Sequence, residues 1–156
     1  METKNVFDIA AFIVSQKHPL PTPRLHKLLY YCQAWSLVWD EKSLFEQPIE
    51  AWASGPVIKE LYEAHKGQYE LDLLDVPKLG NPDALSDTEK ETVQVVLRDY
   101  GNKSAQWLRD LITMEKPWID ARKGLDAMQE GGREITLVSM AEYYEGVYNE
   151  GFEIET

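Results

Sequence analysis

The sequence holds one cysteine, Cys32, among 156 residues, so no internal disulfide can form and a reducing compartment is expected. Long apolar runs are missing too: every charge-free stretch is far short of the roughly 20 residues that a membrane helix needs. The start, METKNVFDIAAFIVSQK, mixes Glu2 and Asp8 into its apolar residues, unlike a secretory leader. A cytoplasmic protein with no membrane partner is expected. Clusters of basic residues are lacking as well. The net charge is −11; residues 1–78 carry 8 basic and 11 acidic groups, giving −3, and residues 79–156 carry 8 and 16, giving −8. Nucleic-acid affinity rests largely on neutralised phosphates, so this field argues against direct nucleic-acid binding. It favours a basic partner, such as a protein that itself handles nucleotides or RNA.

Signatures of catalysis are equally scarce. The chain has no GxxxxGK[ST] and no GxGxxG loop, and Gly131–Gly132 is too generic to cradle a phosphate. His18, His26 and His65 stand in no HExxH or Cys/His spacing, so neither a metal nor a cofactor is expected. His26 and Cys32 are six residues apart, about 240° around a helix, and form no local base–nucleophile pair. His65 can reach Cys32 only through the fold; a hydrolase or transferase built on His65, Cys32 and Glu60 is the weakest reading. No catalytic residue is assigned.

What is present is a helical core. Hydrophobic residues make up 44% of the chain and tryptophans number five, which excludes disorder. Val6, Ile9, Ala10, Ile13 and Val14 recur at helical spacing near residues 4–17. Thr22 as N-cap with Pro23 behind it opens a second helix over roughly 23–39. Its segment LLYYCQAWSLVW is apolar nearly all round, the mark of a helix at the centre of a domain. The stretch SLFEQPIEAWASGP reads as extended, with at most a short β-ribbon, and Gly55–Pro56 as the first turn of a helix closed by Gly67. Residues 68–85 read as the longest irregular connection. Ser86 with Glu89 forms a capping box for a helix ended by Gly101, and Ser104 caps the next, with Trp107, Leu108, Leu111 and Ile112 facing inward. A short helix from Pro117 towards Gly124, a loop, and a last helix capped by Thr136 or Ser139 follow. The expected fold is mostly α: one compact domain over residues 1–156, of about six to seven helices with a minor β-ribbon.

Three blocks, LHKLLYYCQAW (25–35), IEAWASGPVIKELYEAHKG (49–67) and YGNKSAQWLRDLITMEKPWIDAR (100–122), resemble in order the Panacea domain of SocA-like antitoxins. The EAW…GPV…LY block is the most specific part; the family motif usually carries a small residue where Cys32 stands. This family occurs in bacteria and prophages and includes a phage-associated group. The resemblance implies a non-enzymatic antitoxin that neutralises a toxin encoded beside it by direct protein contact. The family's toxins vary and include alarmone-synthetase-like proteins that modify nucleotides or tRNA. One branch acts as an adaptor that hands its toxin to a protease, which would need a second surface or a flexible tail. A homo-oligomer is left open.

The partner-binding candidates are Trp52, Gly55, Pro56, Lys59, Tyr62 and Trp118: large rings beside a turn, with Lys59 and Tyr62 on the helix that follows. For Trp52 and Trp118, anchoring of the ribbon onto the helices is the competing role. In the tail, EYYEGVYNEGFEIET, Tyr144 and Val147 are expected to pack the last helix while its end frays; the alternative is an acidic–aromatic end that docks in a basic cleft of the partner.

Overall fold

A computed structural model describes residues 5–155, with side chains through residue 150. Helix α1 (Val6–Gln16) starts at Asn5, whose side chain accepts from the Asp8 N–H at 3.1 Å. Strand β1 (Leu20–Pro21) leads into α2 (Thr22–Trp39), the long central helix. Strands β2 (Ile49–Trp52) and β3 (Gly55–Val57) form a hairpin, followed by α3 (Lys59–His65). Next come β4 (Glu70–Leu71) and the four-residue α4 (Val76–Leu79). Helices α5 (Asp87–Tyr100), α6 (Ala105–Ile112) and α7 (Lys116–Ala121), strand β5 (Glu134–Ile135) and α8 (Leu137–Glu155) complete the chain. The fold is mostly α, with eight helices among the described residues, one more than expected because α4 forms inside the connection read as irregular.

Helix α2 is the spine, packed against α1, α5, α6, α8 and β3. Leu25, Leu28, Leu29, Tyr30, Tyr31, Cys32 and Ala34 are fully buried, as the all-round apolar pattern requires. Its buried polar residues tie down the loop that follows. Gln33 donates to the Phe45 carbonyl at 2.9 Å and accepts from the Leu44 N–H at 2.6 Å, and Ser36 donates to the Lys42 carbonyl at 2.9 Å. These bonds satisfy backbone groups that burial would otherwise strand.

Strand β2 is central in a three-stranded antiparallel sheet, with β3 on one side and β5 on the other. Ile49 and Ala51 point into the core, while Glu50 and Trp52 alternate onto the half-exposed face. The buried Arg122 locks this sheet to the loop behind it. Its guanidinium donates to four backbone carbonyls, those of Ala51, Asp126, Gln129 and Gly131, at 2.7–3.1 Å. Gly132 lies against the Ala51 carbonyl so closely that a Cβ there has no room.

Several local expectations shift. Thr22 is the first residue of α2 rather than its cap; its hydroxyl donates to the Tyr69 carbonyl at 3.1 Å, stitching β1 to the segment beside β4. Gly55–Pro56 lies in a strand, not a helical turn: Trp52 pairs with Gly55 across the hairpin, Gly55 has φ 127°, and α3 starts only at Lys59. Pairing with the adjacent strand β2 wins over the cap signal. On α6, Leu108 and Ile112 are buried, but Leu111 is half-buried and Trp107 is 43% exposed, under the Lys103 ammonium. An eight-residue helix on the rim buries only one narrow stripe. The capping box holds, with Glu89 N–H to Ser86 Oγ at 3.2 Å and Ser86 N–H to Glu89 Oε1 at 2.7 Å, and the Ser104 cap holds at 3.0 Å. Thr136 caps α8 by accepting from the Ser139 N–H at 3.1 Å. Among the described residues no helix is long and apolar enough to cross a membrane.

Candidate functional site

Two groups of polar side chains meet α2, and they differ in how completely the chain satisfies them. The first is closed. The Glu115 carboxylate accepts from Tyr31 Oη at 2.8 Å and Tyr144 Oη at 2.6 Å. With that proton committed, the Tyr30 hydroxyl, 3.0 Å from Tyr144 Oη, donates to Tyr144. The Tyr100 ring stacks on Tyr31 with centroids 4.2 Å apart, and its hydroxyl accepts from Trp35 Nε1 at 3.2 Å. Tyr30, Tyr31 and Tyr144 have almost no exposed surface and Glu115 little. Burial raises the Glu115 pKa, partly offset by the two tyrosine donors. This cluster is core.

The second group opens on a cavity of about 250 Å3 between the start of α2, the β2–β3 hairpin and α3, lined by Thr22, Pro23, His26, Lys27, Trp52, Ser54, Pro56, Val57, Tyr62 and His65. The Ile58 N–H donates to His26 Nδ1 at 3.1 Å, so that nitrogen carries no proton. The neutral ring then holds its proton on Nε2 and donates it to His65 Nε2, 2.8 Å away. His65 must therefore carry its own proton on Nδ1, a buried atom with no hydrogen-bond partner among the described residues. Burial, then each other's proximity and that of Lys27, holds His26 well below the ordinary histidine range; burial also lowers His65.

Lys27 is 5% exposed, and its ammonium has a single contact, the Pro23 carbonyl at a long 3.4 Å. No carboxylate lies within salt-bridge distance of it among the described residues. Burial, aided by the Arg109 charge, lowers its pKa to about 8. Gly55 is what lets the stem lie there: a Cβ at that position would stand 3.1 Å from Lys27 Cε. Over the cavity sit Trp52 and Tyr62, half-buried, with ring centroids 5.3 Å apart at 56°. Trp52 Nε1 donates to Glu50 Oε1 at 2.8 Å, which fixes the indole on the outer face of the sheet.

The family model of the SocA-like antitoxin, Panacea domain, matches residues 25–119, well over half of the chain and nearly all of this cavity. The chain belongs to that family. Comparison with curated proteins and with solved structures returned no match. Membership in the Panacea family supports an antitoxin role in general and, with it, a toxin partner.

Of the candidate residues, Trp52, Pro56 and Tyr62 line the cavity of this Panacea domain, and Gly55 supports it from below. Lys59 is exposed on α3, outside the lining, and Trp118 lies behind the hairpin, its Nε1 donating to the Trp52 carbonyl at 3.0 Å. Cys32 and His65 belong to different places: the thiol is fully buried in the core, which pushes its pKa up, and His65 faces His26 and Tyr62. Glu60 stands exposed on α3. The residue that motif reading missed is Lys27. Its signal is there, since it is the only Lys, Arg, Asp or Glu between Arg24 and Asp40 in a helix otherwise apolar all round.

Proposed function

We propose that this Panacea domain is a cytoplasmic antitoxin that neutralises a protein toxin encoded beside it by direct contact, and that Trp52 and Tyr62, over the cavity at the β2–β3 hairpin, anchor the toxin. The supporting observation is the half-exposed Trp52–Tyr62 pair on a cavity formed almost wholly within the family's matched segment. Paired aromatic rings, one on the hairpin and one on α3, bury much area at little cost in side-chain entropy, which is what interface hot spots share. The net charge of −11 supports a basic toxin, drawn in over long range and sensitive to salt.

Co-expression with the neighbouring reading frame tests this, scored by growth and by co-purification. Rescue by the wild type, with loss of rescue in Trp52→Ala and Tyr62→Ala at unchanged melting temperature, is the expected result. A toxic neighbour that the wild-type chain neither rescues nor retains on a column would refute the antitoxin reading. Full rescue by both folded alanine variants would move the interface elsewhere.

A further inference from the structure

The cavity beneath the aromatic pair is lined by two residues whose donors are poorly matched among the described residues. Lys27 offers an ammonium without a carboxylate, and His65 offers a buried N–H without an acceptor. Around them the lining is mostly apolar: Pro23, Pro56, Val57, Trp52 and Tyr62. A buried polar group that the fold leaves unpaired costs stability, typically more than a paired one returns. Elsewhere on α2, Gln33 uses both ends of its amide and Ser36 its hydroxyl, while Arg24 donates to the Gly101 carbonyl and keeps a buried Nε without a partner among the described residues. Lys27 has only its long contact to the Pro23 carbonyl, and it lines this cavity with no carboxylate near it among the described residues.

We propose that this cavity receives a single acidic side chain of the partner protein, a glutamate or aspartate next to an apolar residue, with the carboxylate on Lys27 and His65 and the apolar neighbour against Trp52 and Tyr62. The charge argument commits the occupant. A carboxylate supplies the anionic partner that Lys27 lacks among the described residues, and charge-assisted bonds in a partly dry site are stronger than neutral ones. The volume, about 250 Å3, suits one or two side chains and not a folded element. One positive cavity on a chain of net charge −11 also gives orientation: the general field attracts a basic surface, and the acidic side chain seats it in one register.

This inference rests on the reading of the chain as a toxin-binding antitoxin, yet its first test needs no toxin. Capped dipeptides serve as probes, titrated into the full chain at neutral pH while the indole and imidazole resonances are followed by NMR. Acetyl-Leu-Glu-amide should bind at least about fivefold more tightly than acetyl-Leu-Gln-amide and shift the Trp52 and His65 signals. Acetyl-Leu-Ala with a free chain end should bind no better than the glutamine probe. In Lys27→Met the preference for glutamate should vanish while the melting temperature holds or rises. Equal binding of the glutamate and glutamine probes would overturn the proposal, as would a stronger response to the free chain end or a preference that survives Lys27→Met. Absence of any shift with the glutamate probe at tens of millimolar would overturn it too. If Lys27→Met failed to fold, the wild-type ratio of glutamate to glutamine probe would decide alone. The two readings fail separately: a chain that prefers the glutamate probe but never rescues growth is no antitoxin, whereas undiminished rescue by folded Lys27→Met leaves the antitoxin and removes the acidic anchor.

Discussion

The tyrosine–Glu115 cluster and the Lys27–histidine cavity lie on the same helix and draw on the same resource, ionisable side chains buried among apolar ones. They differ in who supplies the partners. Around Glu115 the chain brings its own donors, from α2 through Tyr31 and from α8 through Tyr144, and seals them from solvent. Around Lys27 it brings a long contact to one carbonyl and leaves a cavity. A satisfied buried group stabilises or is neutral, while an unsatisfied one beside open space costs stability in the free protein and is retained where something outside pairs with it. Burial alone does not separate architecture from function; the state of the hydrogen-bond partners does.

The comparison can be broken first by size. Tyr144→Ala should cost about 3–5 kcal/mol in denaturant unfolding, because it opens the sealed cluster, leaves Glu115 with Tyr31 as its one donor and strands the Tyr30 hydroxyl. Loss of under about 1 kcal/mol would mean that the cluster is not part of the core.

Lys27→Met should act in the opposite direction, stabilising the free chain by about 1–3 kcal/mol at pH 7. Its pH dependence distinguishes desolvation from better packing. Lys27 has a folded pKa of about 8 against 10.5 when unfolded, so above pH 8 the unfolded state binds more protons and wild-type stability gains from this group. The advantage of the methionine variant should therefore be full below pH 8 and shrink towards pH 10.5. A constant advantage would point to packing.

Acid should separate the two regions next. His26 is held below its unfolded pKa, so its contribution is whole above pH 6.5 and is lost as pH falls below that value. Glu115 is raised above its ordinary 4.5, so its contribution is whole below pH 4.5 and is lost as pH rises through the folded value. His26→Gln should flatten the acid limb of the stability curve, and Glu115→Gln should gain on the wild type as pH rises from 4.5. Parallel curves for either variant and the wild type would show that these groups do not titrate with folding.

The smallest effect on stability is expected at Trp52. Trp52→Ala should cost roughly 1 kcal/mol, since the ring is half-exposed and its Nε1 bond to Glu50 is local. A cost near that of Tyr144→Ala would make Trp52 an anchor of the ribbon and remove it from the interface argument.

How far the sequence discloses these regions follows from the range of the interactions involved. Helices were legible where the signal is local: the Ser86–Glu89 box, the Ser104 cap and the all-round apolar pattern of α2 each read over a few residues. Gly55–Pro56 was misread as a helical turn because its strand partner, β2, competes through pairing that a turn signal does not report. Leu111 does pack against the core, half-buried, whereas Trp107 is exposed, because periodicity gives a face but not how much of it a neighbour covers. Trp52, Pro56 and Tyr62 were singled out as candidates by ring size and the turn, and the structure places all three on one cavity. The His26–His65 pair was not legible, since residues 39 apart meet only through the fold, and Lys27 was legible only as a lone charge in an apolar helix. Tyr144 and Val147 pack α8 as expected, and the side chains of residues 151–156, where the acidic tail ends, lie outside the described residues.

Arg122 carries a consequence for how this protein can change over generations. Its guanidinium reads carbonyl oxygens at Ala51, Asp126, Gln129 and Gly131, an atom every amino acid provides. The path of residues 122–132 is therefore held largely through backbone atoms, with Arg133 adding a bond to the Lys123 carbonyl, so that exposed positions outside the glycines are free to drift. Mutational tolerance should be lopsided here: substitutions at the exposed Met128 pass unnoticed, whereas one inserted residue moves the carbonyls out of reach and releases the hairpin from behind. Selection on this loop acts on its count of residues far more than on their chemistry.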